Sequence, residues 1–170
     1  MDAAIKTSLQ RQIEQEGDSK FWRKDGYYCL IMRTPELKTL CGYVGVPRTS
    51  TLYGHDVFSN SKTKIQKDIN KIRVHGGLTF SGKFEKKEGL PFESLSSDIW
   101  WFGFDTAHFQ DLVPSMELFP AMQRKNMQYR DIKYVETEVN NLLSQIKKID
   151  DKHYSWFWNL IDKLIHLQVL

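Results

Sequence analysis

Two alternating runs joined by four residues do most to limit what this chain can fold into. Tyr27 to Arg33 places Tyr28, Leu30 and Met32 on one face and Cys29 and Ile31 on the other. Lys38 to Val46 sets Gly42, Val44 and Val46 opposite Cys41, Tyr43 and Gly45. Their connection, Thr34-Pro35-Glu36-Leu37, is too short for a crossover, so the runs read as an antiparallel hairpin. Pro47 ends the second run, because proline cannot continue a central ladder.

Two further runs extend this sheet. From Lys71 to Ser81, alternation points Ile72, Val74, Leu78 and Phe80 one way and Arg73, His75 and Thr79 the other, with Gly76 and Gly77 able to introduce a bulge. From Asp98 to Asp105, Ile99, Trp101, Gly103 and Asp105 share a face, opposite Trp100, Phe102 and Phe104. The cluster Phe21-Trp22 reads as aromatic packing at the edge of the core, followed by an Asp25-Gly26 turn.

Helical periodicity brackets the strands. Ile5, Leu9 and Ile13 predict a helix from Ala3 to Glu16 that Gly17 closes. Ile132, Val135, Val139, Leu142, Leu143, Ile146 and Ile149 trace a longer one, with Asp131 at its positive end and Lys147 and Lys148 near its negative end. Trp156, Phe157, Leu160, Ile161, Leu164 and Ile165 give the tail a separate amphipathic, aromatic helix. Residues 48–70 are irregular, long enough to be functional or to carry a short helix, and Pro114 and Pro120 make 106–128 mostly loop. GKFEKKEG, within 82–97, reads as a charged loop. The expectation is one α+β domain over residues 1–170, with a largely antiparallel sheet of four or five strands and helices collected on one side.

Charge narrows the function classes. A formal net charge of +3 falls short of the concentrated positive surface that nucleic-acid binding demands, so nucleic acid is not the expected partner. Lys62, Lys64, Lys67 and Lys71, interrupted by Asp68, read as a solvated face. No signal-peptide core or membrane-length apolar run is present, and the expected location is the cytoplasm. Cys29 and Cys41 are expected as free thiols there.

The chemistry converges on residues 73–111. With the strands paired as above, His75 and Asp105 project from a polar face near Trp101 and Tyr43, and His108 follows Asp105 by three residues. A carboxylate beside an imidazole can orient a general base, and the trio His75, Asp105 and His108 has the ligand types for a mononuclear metal site. The bland alternatives are an aspartate capping the turn after its strand and a histidine satisfying a backbone group. Aromatic faces, close-set glycines and Arg48, Arg73 or Arg130 are equally the ingredients for holding a planar anionic ligand. Asp111 and the pair His55-Asp56 stand in reserve. Nucleophile-elbow, phosphate-loop, HExxH and paired CxxC patterns are absent.

The segments GYVGVP (42–47), LYG (52–54), VHGGLTFSG (74–82), WWFGFDTAHFQDLVP (100–114) and YRDIKYVETEV (129–139) together resemble a family of small proteins encoded by bacteriophages and prophages. The resemblance spans roughly residues 27–145 and leaves both terminal helices outside it. It brings no catalytic assignment, but it implies a phage setting and hence the cytoplasm of an infected bacterium. The expectation that follows is a counter-defence protein that sequesters a nucleotide-derived immune signal. Its pocket would be lined by Tyr43, Arg48, His75, Trp101, Asp105, His108 and Arg130, with no cofactor or resident metal. A metal-assisted phosphoester hydrolase using His75, Asp105 and His108 is the enzymatic alternative. A protein-binding inhibitor is the third, and the aromatic tail offers a surface for a homo-oligomer, with no membrane expected as a partner.

Overall fold

The computed structural model describes residues 7–84, 98–116 and 126–167, with side chains to residue 155. Helix α1 (Ser8–Glu16) is followed by strands β1 (Ser19–Lys24), β2 (Tyr27–Arg33) and β3 (Leu40–Pro47). Helix α2 (Lys64–Ile69), strands β4 (Phe80–Gly82) and β5 (Ile99–Asp105), a 3-10 turn (Pro114–Met116) and helix α3 (Ile132–Leu167) complete the order. The five strands form one antiparallel sheet in the order β1-β2-β3-β5-β4, the expected α+β architecture.

The hairpin and its facing hold, with Leu30 opposite Tyr43 and Cys29 opposite Val44. But β3 starts at Leu40, so the connection is residues 34–39, and Pro47 is the last residue of the strand, paired opposite Ile99. The first strand was not foreseen. Phe21 and Trp22 lie in β1, which pairs with β2 across a two-residue turn in which both Asp25 (φ 53°) and Gly26 (φ 82°) are left-handed. That backbone suits a tight hairpin, because its twist matches that of the flanking strands.

α3 covers one face of the sheet. Its buried stripe of Val135, Val139, Leu142, Leu143 and Ile146 meets Cys29, Ile31, Val44, Val46, Phe102 and Phe104. Gly42 permits the close approach: a Cβ there would stand 2.5 Å from the Phe104 ring and 2.7 Å from Val139. The opposite face carries a second cluster in which Leu30, Ile99 and Trp101 pack with Tyr28, Tyr43 and Phe80. Gly103 is part of it, since the Tyr43 ring lies only 2.3 Å from where its Cβ would be.

α3 runs unbroken through the point where two helices were expected to divide. No proline or glycine interrupts residues 132–167, so nothing in the backbone ends the first segment. Asp131 caps it by accepting the Tyr134 N–H at 2.7 Å. α1 begins at a Thr7 capping box and ends at Gly17. The expectations for Ala3 to Lys6, 85–97 and 117–125, and for the tail's aromatic side chains, lie outside the described residues. Among the described residues, no helix is long and apolar enough to cross a membrane.

Cys29 and Cys41 are buried and free. Burial pushes the Cys29 thiol up to about 12 and raises that of Cys41, so neither is a thiolate at neutral pH.

Candidate functional site

His75 does not lie on a strand. Gly76 (φ 64°) and Gly77 (φ 90°) turn the chain immediately after it, and only Phe80–Gly82 pairs with β5. The backbone before the turn is satisfied by α3 instead of a ladder. The Arg73 N–H donates to Gln145 and its carbonyl accepts from the same side chain, while the His75 N–H donates to Glu138 at 2.8 Å. The glycine pair thus separates the unpaired 71–75 segment from the short strand β4, where a bulge within one continuous strand was expected.

This brings His75 to the start of α3, into a polar cluster centred on Asp111. His75 Nε2 lies 2.7 Å from Asp111 Oδ2, and Nδ1 lies 2.9 Å from the Tyr134 hydroxyl. With Asp111 ionised, Nε2–H donates to the carboxylate and Nδ1 accepts from Tyr134. Asp111, only 1% exposed, also accepts the His108 N–H at 3.0 Å and Arg130 Nε–H at 2.8 Å. Burial alone would raise its pKa, but hydrogen bonds from Arg130 and His75 and the His108 N–H hold the carboxyl below its ordinary value. The Arg130 guanidinium also lies 4.7 Å from the centre of the Tyr134 ring.

His108 and Asp105 close the cluster from the end of β5. The two rings of His75 and His108 are 5.4 Å apart, and His108 Nε2 is 3.7 Å from Asp105. His108 lies so close to Gly76 that a Cβ there would fall 1.7 Å from its Nε2, a buried nitrogen without a hydrogen-bond partner. Asp105 caps the turn after its strand, accepting the Ala107 N–H at 3.0 Å. Among the described residues, no group of three or more His, Cys, Asp or Glu side chains is arranged to hold a metal.

Four of the seven expected lining residues, His75, Asp105, His108 and Arg130, therefore meet at one place. The other three do not join them. Trp101, 2% exposed, and Tyr43 belong to the aromatic layer on the face of the sheet away from α3. Arg48 is exposed, pairs with Asp98 at 3.2 Å and lies over the Tyr53 ring. The single pocket expected from strand alternation is replaced by a filled polar cluster and a separate aromatic layer.

Among the described residues, a large open concavity lies elsewhere, between α2 and the later turns of α3. It encloses about 1140 Å³ and is lined by His55, Lys64, Lys67, Lys71, Lys152, His153 and Tyr154, with Thr49, Thr51 and Thr63 among the remaining residues. Asp68 is the one carboxylate among those lining residues. Two anchors build the walls. Buried Gln66 donates to the Asp56 carbonyl and to Asn70, fixing α2, while Asp150 accepts both the N–H and the hydroxyl of Thr51 at 2.7 Å, tying the 49–55 loop to α3. Asp68 accepts from Lys71 (3.0 Å), Lys152 (2.6 Å) and His153 (3.1 Å), and the hydrogen bonds from Lys152 and Lys71 hold its carboxyl far below the usual range.

Three of the four lysines read as a solvated face, Lys64, Lys67 and Lys71, thus line one wall of a cleft. Lys64 and Lys67, three residues apart, are neighbours on α2, and Lys71 follows just beyond its end. The opposing Lys152 and His153 come from more than eighty residues downstream, a juxtaposition that only the fold provides. Comparison with protein-family models, curated proteins and solved structures gave no match.

Proposed function

We propose that this chain is a phage-encoded counter-defence protein that binds a nucleotide-derived small molecule in the α2–α3 cleft and sequesters it from a bacterial immune effector. The observation that carries the reading is the cleft itself: four lysines and two histidines against one carboxylate, around a volume of about 1140 Å³. Pockets for small molecules commonly enclose about 300–1,000 Å³, so the space suits a ligand of dinucleotide size. Lysines supply point charges for phosphates, the threonines supply hydroxyl donors, and the half-exposed Tyr154 ring offers a face for a base. The phage setting comes from the sequence resemblance and supplies the biological role.

Holding is favoured over turnover because the conspicuous acid-base chain, Asp111–His75–Tyr134, is far from the cleft. Tyr134 and Lys152 are separated along α3 by eighteen residues, or about 27 Å. Both ring nitrogens of His75 are also engaged within the protein. The competing reading, a phosphoester hydrolase, draws on that same chain, whose outer member is the partly exposed Tyr134 hydroxyl.

Incubation with a panel of linear and cyclic nucleotides, then denaturation and mass analysis, separates the two. Sequestration predicts that every nucleotide is recovered intact while one or more binds stoichiometrically. Turnover lost on His75→Ala or Tyr134→Phe would establish the hydrolase instead. The 36-residue α3, about 54 Å long, also exceeds the strands it covers, and we assign its last turns to contact with a second copy.

A further inference from the structure

Resting on the cleft reading, we propose that Asp68 is a built-in counter-ion occupying the position of a ligand phosphate, and that the ligand carries at least two phosphate groups. Three nitrogen donors from two separate elements converge on this one carboxylate: Lys71 on Oδ1, and Lys152 and His153 on Oδ2. Such a convergence is what a phosphate oxygen cluster requires. The carboxylate is 12% exposed beneath side chains that are largely free: Lys71 is 73% and Lys152 64% exposed.

Those exposures make an exchange of partners cheap. Ion pairs of solvated lysines contribute about 0–1 kcal/mol each, so an ammonium can swing on its flexible stem from Asp68 to an arriving phosphate at little cost. Asp68 then has two opposed effects. It holds Lys71, Lys152 and His153 together in the free protein, and it repels the ligand that needs them. Repulsion is the larger, because a phosphate held by the same donors lies within a few ångströms of the carboxylate, whereas Lys71 and Lys152 remain largely exposed and are little ordered by their pairing with it.

The charge count sets the ligand class. Lys71 and Lys152 less Asp68 leave one net positive charge at the convergence point, enough for one partly neutralised phosphate. Lys67 lies four residues before Lys71 on the same wall and provides for a second. A molecule with one phosphate would leave that part of the wall unmatched.

The test is calorimetric titration of the full chain with inorganic tripolyphosphate and with inorganic phosphate, on wild type, Asp68→Asn and Lys152→Gln, each shown folded by its thermal transition. Tripolyphosphate should bind wild type more tightly than phosphate does. Asp68→Asn should tighten it about fivefold, the effect of removing one unit of repulsion at about 5 Å in a largely aqueous dielectric. Lys152→Gln should weaken it. Unchanged or weaker binding by Asp68→Asn would overturn the counter-ion role, as would tighter binding of a single-stranded 20-mer than of tripolyphosphate overturn the ligand class. If no variant binds tripolyphosphate although the protein retains a nucleotide from cells, the inference fails and the sequestration reading stands. Failure to bind any nucleotide either removes both.

Discussion

Replacing Asp111 by Asn is expected to destabilise the fold by about 3–5 kcal/mol, the cost of breaking a buried charge cluster by removing one partner. The carboxylate is 1% exposed and accepts from Arg130, His75 and the His108 backbone. An amide in its place has only one acceptor oxygen, so the Arg130 guanidinium or the His75 ring is left without its partner. Total stability of a domain this size is about 5–15 kcal/mol, so the loss is a large share, and the thermal midpoint should fall by roughly 10 °C. A denaturant series at neutral pH measures it directly.

The same residue shapes the acid limb of stability. Its folded carboxyl lies below the unfolded value, so its contribution is fully present above about pH 3.9, the ordinary aspartate value, and is lost as pH falls through the folded pKa. Asp111→Asn should flatten that part of the pH-stability curve. A wild-type acid limb that persisted in the Asn variant would remove Asp111 from this role.

Truncating Lys71 and Lys152 together to Ala is expected to weaken nucleotide binding by about 100-fold or more, since each charge-assisted hydrogen bond is worth about 1.5–3 kcal/mol. Stability should change little, because both lysines are mostly exposed and such pairs contribute about 0–1 kcal/mol each. That contrast separates the two polar clusters. Loss at Asp111 destabilises the fold and loss at the lysines empties the cleft. Calorimetry beside a thermal melt reads both, and full affinity in a folded double variant would place the ligand outside the cleft.

The hairpin of β2 and β3 was legible because alternation, a short connection and Pro47 all act within twenty-one residues of chain. Facing was legible for the same reason: Val44, Phe102 and Phe104 meet α3 while Trp101 and Tyr43 turn away. His75 was misplaced because alternation was carried through Gly76 and Gly77. Their left-handed backbones turn the chain from α3, where Glu138 and Gln145 replace a strand neighbour for residues 73–75, to the sheet at Phe80. β1 was hidden by its exposed, basic residues, which suit the edge of a sheet.

The candidate site was legible only in pieces. His55 stood in reserve and Lys64, Lys67 and Lys71 were read as a solvated face, yet nothing local says that Lys152 and His153 will stand across from them. Asp111 was likewise a reserve candidate, although burial and three donors make it the centre of its cluster. Contacts of this kind arise from tertiary packing, and residue spacing carries no trace of them.

The most direct test of sequestration is to purify the intact chain from bacteria in which a nucleotide-signalled defence is active, denature it, and identify the released small molecules by mass spectrometry. The account predicts an intact, multiply phosphorylated nucleotide-derived molecule at close to one per protein, absent from the Lys71→Ala, Lys152→Ala double variant. Release of a hydrolysis product, or of nothing from the folded wild type, would contradict it.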